Sequence, residues 1–148
     1  MALRDEINNN LKTAMKAGKA LEVETLRMLN AALKNREIEK KGRGEAAEIT
    51  DGDVQEVATK EVKRRKEAQE IFTQAKRLDL AEKEQGEIAI LSHYLPAQMS
   101  KEEVGAVIDR AIKSAGSDFG SVMKEAMKEL KGKADGKLVG EIIKSKLS

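Results

Sequence analysis

Between Lys131 and Lys137 the chain reads KGKADGK, with three lysines, two glycines and one aspartate in seven residues. Lysine side chains and backbone N–H groups offered at a glycine turn can hold a phosphate, and a turn that runs into a helix N-terminus adds donors of its own. Spacing decides which phosphates are possible. A nucleotide-binding loop places four residues between its glycines and follows its Lys with Ser or Thr for Mg²⁺. Here three residues separate Gly132 from Gly136, Leu138 follows Lys137, and no strand precedes the loop. What is left is either a contact to a nucleic-acid backbone or a solvated connector between helices. The candidate nucleic-acid-binding set is Lys128, Lys131, Gly132, Lys133, Gly136 and Lys137. Lys124, Lys144 and Lys146 extend the basic character, and Glu125, Glu129, Asp135 and Glu141 oppose it.

Other chemistry-bearing residues do not assemble into a catalytic or metal site. The absence of cysteine removes thiolate ligands, thiol nucleophiles and disulfides together. Asp51-Gly52-Asp53 starts like a calcium loop, but the later ligands and the twelfth-position Glu are out of register, so it reads as a capped loop. His93 is the only histidine and has no paired acid or nucleophile in the sequence, which suits a structural role. Glu82, Glu84 and Glu87 read as a solvated helix face. Met123 and Met127 read as core. Neither a cofactor nor a metal is expected.

These residues must be positioned by helices. Aromatic residues make up 2% of the chain and charged residues 36%, the composition of packed amphipathic helices. Leu3, Ile7, Leu11 and Met15 predict a first helix over 2–17, stopped by Gly18, and Leu26, Leu29 and Leu33 mark a second running from about Lys19 to Lys41. A flexible loop follows through two glycines, until Thr50 and Asp53 form a capping box. A helix to about Ala75 then carries Val54, Val57, Val62, Ala68, Ile71 and Phe72, with Arg65 as a polar interruption, and spans roughly 35 Å. Its Lys60, Lys63, Arg64, Arg65 and Lys66, mixed with Glu61 and Glu67, read as intrahelical pairs. Asp79 and Glu82 read as an N-cap and N3 pair for a helix bearing Ala81, Ile88, Leu91 and Leu95.

Pro96, the only proline, ends that helix and sets the expected domain boundary, with a four-helix region over 1–95 and a three-helix bundle over 96–148. In the second part Ser100 and Glu103 form a capping box, Ser117 or Asp118 caps the next helix, and Asp135 caps the last. The expected fold class is all-α. Residues 1–95 hold 18 Lys+Arg and 18 Asp+Glu, whereas residues 96–148 hold 10 and 8, so the whole small cationic excess lies in the last third. No apolar run reaches the roughly 20 residues of a membrane span, and Arg4, Asp5 and Glu6 fall where a signal peptide would be apolar. A cytoplasmic protein without membrane contact is expected.

The strings RLDLAEKE, YLPAQMS and GSVMKEAMKELKGKADGKLVGEIIKSKL together resemble the GatB/YqeY family, in particular its stand-alone YqeY-like proteins, from the first helix to the last residue. From about Pro96 the chain is also similar to the tail domain of the tRNA-dependent amidotransferase B subunit. The shared pattern is G-x-V-M at Gly120 to Met123, G-K-A at Gly132 to Ala134, and V-x-x-I-I-x-x-x-L at Val139 to Leu147. Where that subunit continues with Asn-Pro, this chain has Asp135-Gly136. The resemblance implies contact with the tRNA elbow and an association with glutamine-dependent amidation of misacylated tRNA, through an amidotransferase or other protein partner. It brings no active site, because the subunit's kinase-like catalytic portion has no counterpart here. The expected function is a non-catalytic tRNA-binding or adaptor module. The alternatives are a carbon–nitrogen ligase acting on aminoacyl-tRNA and a protein scaffold docking through Val62, Arg65 and Phe72.

Overall fold

A computed structural model describes residues 2–148, and among them every regular element is helical: α1 (Leu3–Ala17), α2 (Ala20–Gly42), α3 (Asp51–Gln74), α4 (Leu78–Ser92), α5 (Lys101–Ala115), α6 (Phe119–Leu130) and α7 (Gly136–Leu147). The all-α expectation holds. The helices fall into two compact units that meet in sequence at Leu95 and Pro96.

In the first unit α2 touches α1, α3 and α4, while α3 and α4 form a hairpin. Its core joins Ile7 of α1, Leu26, Leu29 and Leu33 of α2, Val54, Val57, Ala58 and Val62 of α3, and Ile88 and Leu91 of α4, closed by Ile49 and Tyr94. On α1 the apolar stripe departs from expectation at its end, where Met15 is 52% exposed and Ala14 is buried. Each four-residue step overshoots the helical repeat by about 40°, so Met15 has rotated about 120° from Leu3 while Ala14 returns to the same face. Gly18 ends the helix at φ 69°, in the left-handed region. Where α4 crosses α2, a Cβ on Gly86 would lie 2.7 Å from Leu21 Cδ2, so the glycine permits the close approach.

The connector between α2 and α3 is held at both ends, contrary to the flexible loop expected. Ile49 is buried, Lys40 Nζ donates to the Glu48 carbonyl at 2.8 Å, and Glu45 N–H bonds back to the Lys40 carbonyl at 2.9 Å. The Thr50–Asp53 capping box forms in both directions. Asp53 also accepts from Lys40 Nζ at 2.7 Å and pairs with Arg36 at 3.4 Å. Burial opposes its charge, but hydrogen bonds from Lys40 and Thr50 outweigh it and hold the carboxyl well below the usual range. Asp51 adds a long-range cap: its Oδ1 accepts the Leu3 N–H at 2.9 Å.

The expected Asp79 cap does not form. Lys76 adopts φ 60°, and α4 begins at Leu78 with Arg77 in the N-cap position and no side-chain cap. Asp79 lies instead within the first turn, where a carboxylate complements the helix dipole, and it pairs with Arg77 at 3.7 Å. Leu95 lies beyond α4, which ends at Ser92, and packs on the core from the following turn.

In the second unit, Val104, Val107, Ile108 and Ala111 of α5, Val122, Ala126 and Leu130 of α6, and Val139 and Ile143 of α7 form the core, with Met123 and Met127 packed against it. Ser100 Oγ accepts the Glu103 N–H at 3.2 Å, the forward half of its box. Asp118, rather than Ser117, caps α6 by accepting from Ser121 N–H at 3.0 Å. Asp135 caps α7, accepting from Lys137 N–H at 3.0 Å.

Candidate nucleic-acid interface

The lysine turn lies between two helices that pack on one core, so its ends are fixed by Leu130 and Val139, both fully buried. α6 stops when Gly132 takes φ 78°, a conformation that favours glycine. The N–H groups of Lys133 and Ala134 return to the Leu130 carbonyl at 2.8 and 3.1 Å, and that of Lys131 returns to Met127 at 3.1 Å. These donors serve the end of α6. Three of the backbone N–H groups that could have faced an anion are therefore already engaged.

The turn is also clamped from outside. Gln98 Nε2 donates to the Gly132 carbonyl at 2.9 Å and Met99 N–H to the Lys133 carbonyl at 2.9 Å. Sequence reasoning missed both residues, since a side-chain amide after a proline carries no periodic signal. Gln98 and Met99, just before α5, are thus bonded to the turn.

Of the six candidate residues, Lys131, Lys133 and Lys137 are exposed and none has a carboxylate within 4 Å among the described residues. Three cations thus gather on one turn whose backbone is tied by hydrogen bonds. Lys128 differs, because its Nζ pairs with Glu125 at 2.9 Å. Gly132 has the backbone role expected of it. Gly136 does not: it is the first residue of α7, outside the positive-φ set, with open space where a Cβ would point.

Two charged residues of the first unit build structure instead. Arg65, expected as a polar interruption of the apolar face and one of a set of intrahelical pairs, is 6% exposed, and Glu87, expected on a solvated face, is 5% exposed. Arg65 Nε donates to Glu87 Oε2 at 2.9 Å, and its Nη1 donates to Glu61 Oε2 at 2.7 Å and to the Glu61 carbonyl at 3.1 Å. Nη2 rests 3.8 Å from Met28 Sδ. Burial opposes the guanidinium charge, but the bonds to Glu61 and Glu87 raise the Arg65 pKa overall. The nearby Glu84 carboxyl is pushed up, first by burial and then by the charge of Glu87. The signal available in the sequence was an Arg in phase with Val54, Val57 and Val62, and a Glu four residues before Leu91 on the face of the next helix. Since Val62 and Arg65 are buried, the expected scaffold surface through Val62, Arg65 and Phe72 is not available. The intrahelical pairing expected on α3 does occur at Lys60–Glu56, Arg64–Glu61 and Arg65–Glu61.

His93 is exposed at the end of α4 and meets the Tyr94 ring edge to face at 5.1 Å. Tyr94 is the buried member of the pair, receiving a hydrogen bond from Asn10 Nδ2 at 2.7 Å. Among the described residues, no helix is long and apolar enough to cross a membrane, and no cluster of three His, Asp or Glu side chains could hold a metal ion.

Comparison with known proteins places this architecture. A 64-residue stretch is 45% identical to an uncharacterized protein of Schizosaccharomyces pombe, covering 43% of this chain and 52% of that protein. Over 102 residues the chain is 35% identical to altered inheritance of mitochondria protein 41, mitochondrial, of Kluyveromyces lactis, covering 68% of this chain and 53% of the relative. The chain thus spans about half the length of the curated relatives it matches. The sequence profile of the YqeY-like proteins matches residues 4–147, through both helical units, and the chain belongs to that family.

Proposed function

We propose that this chain is a non-catalytic tRNA-binding or adaptor module, with the corner formed by Lys131, Lys133 and Lys137 as its phosphate contact. The observation that carries this reading is the gathering of three exposed lysines on one turn whose backbone is tied from outside. The three turn lysines stand exposed, with no carboxylate within 4 Å among the described residues, around a backbone clamped by Gln98 and Met99. Cations held on a rigid corner lose less freedom when they meet a phosphate than the same cations on a mobile loop. An association with glutamine-dependent amidation would run through a partner that supplies the chemistry. The reading holds in any compartment that contains tRNA, the cytoplasm expected from the sequence included.

The test replaces Lys131, Lys133 and Lys137 together by glutamine. Helicity and melting temperature should stay nearly unchanged, because exposed charges contribute little to stability. tRNA binding should weaken, and its log–log salt dependence should flatten by about 0.7–0.9 per lost phosphate contact. Because phosphate contacts position rather than specify, different tRNAs should weaken alike. Unaltered binding with an unaltered salt slope would reduce the turn to a connector.

A further inference from the structure

Phe119 is one of two phenylalanines in the chain, and it is 39% exposed on the first turn of α6 rather than buried in the core. Its ring does not float in solvent. A Cβ on Gly140 of α7 would lie 3.7 Å from the ring tip, so the aromatic edge rests against a position of that face without a side chain. Lys144 Nζ stands 5.9 Å from the ring centroid, within cation–π range. Lys137 lies seven residues before Lys144, two helical turns and about 10 Å along α7, on the same face. α7 therefore carries a lysine of the turn, a glycine that seats an aromatic ring, and a second lysine whose ammonium lies over one face of that ring and leaves the other for a ligand. Glu141 is the carboxylate nearest in sequence on this face, and neither Lys137 nor Lys144 pairs with it.

We infer that Phe119, its edge seated on Gly140 and one face covered by the Lys144 ammonium, offers its other face as a stacking platform for an unpaired nucleobase, with Lys137 and the turn lysines holding the phosphates of the same strand. The inference rests on the polyanion-binding reading of the turn and adds to it a preference for single-stranded or looped-out nucleotides. A ring held by packing and left half open loses little freedom when a base lies on it, and every base has a π-face to offer. Stacking of this kind is tolerant of sequence. Cations beside the platform fit a ligand that is aromatic and anionic at once. An apolar peptide would not use them.

The experiment measures anisotropy of the full chain with two labelled probes. One is an oligoadenylate of about ten nucleotides; the other is the same backbone with its bases removed. The wild type should bind the base-bearing strand more tightly, by about 5- to 100-fold if a single base stacks. Phe119→Leu should collapse that ratio towards unity while leaving the abasic affinity in place, and Phe119→Tyr should restore it. The Lys131/Lys133/Lys137→Gln variant should weaken both probes and keep the ratio. Equal wild-type affinities, or a ratio untouched by Phe119→Leu, would overturn the platform while leaving the lysine corner standing. Failure to bind either probe while tRNA still binds would also overturn it. Failure to bind tRNA as well would sink both readings, and a loss confined to a protein partner on Phe119→Leu would reassign the ring to a peptide.

Discussion

Removing one member of the Arg65 cluster should cost the first unit much of its stability, whereas removing the charged pair together should not. Arg65→Met takes the only guanidinium away from Glu87, which is 5% exposed, and leaves Glu61 with only Arg64 at 3.3 Å. Breaking a buried pair in this way costs about 3–5 kcal/mol, because the remaining charge is neither solvated nor matched. A domain of this size holds on the order of 5–15 kcal/mol in all. The single variant should therefore be close to unfolding at room temperature. In Arg65→Met/Glu87→Met both buried charges are gone and the volume is filled, so stability should return to within about 1 kcal/mol of wild type or exceed it. Tyr94 provides the assay. It is the only tyrosine, there is no tryptophan, and it is 2% exposed in the core of this unit, so intrinsic fluorescence in a urea titration follows these four helices alone. A loss below about 1 kcal/mol in Arg65→Met, or a double variant as unstable as the two single losses added, would refute the claim that the pair is desolvated and coupled.

Further outcomes follow from the turns and caps. Gly132→Ala should destabilise the second unit by about 1–2 kcal/mol, since alanine must enter the left-handed region at φ 78°. Gly136→Ala should be neutral or stabilising by up to about 1 kcal/mol, because it places alanine in a helix with open space for its methyl group; thermal melts of the two variants check the contrast. Asp53→Asn should lower stability at neutral pH. Asp53 has a folded pKa held below its unfolded value, so its contribution is present above the usual aspartate range and disappears as pH falls through the folded value. The gap between variant and wild type in urea titrations should accordingly close on acidification, and a gap that widens would reverse the assignment. Gln98→Ala should loosen the lysine turn, seen as faster amide exchange at Lys133 and Ala134 while the α5 core stays protected.

The readable features were those written in local spacing. Thr50 with Asp53, Asp118 and Asp135 are caps whose partners lie two or three residues away, and the apolar positions of α5, α6 and α7 repeat at helical intervals. Both kinds of signal survive without knowledge of the tertiary structure. Asp79 misled because a left-handed Lys76 turned the chain early enough for α4 to start without a capping side chain. Arg65 and Glu87 misled because charge is an unreliable guide to exposure when the neutralising partner is 22 residues away. The candidate site was legible as a cluster of lysines around glycines. Its rigidity was not, since Gln98 reaches Gly132 across 34 residues, and neither was the seating of Phe119 on Gly140.

The bond from Leu3 N–H to Asp51 sets a kinetic order for the first unit. The first amide of α1 is satisfied by a side chain 48 residues downstream, at the start of α3. α1 can wind from local propensity, but its N-terminal turn stays frayed until the loop is closed and Asp51 arrives. Closing so long a loop is entropically slow. Slow hydrogen exchange at Leu3 should therefore emerge late in refolding, together with ordering of residues 43–50, after the middle of α1 is protected. In the native protein, any opening of that connector should reach Leu3 before it reaches Ile7.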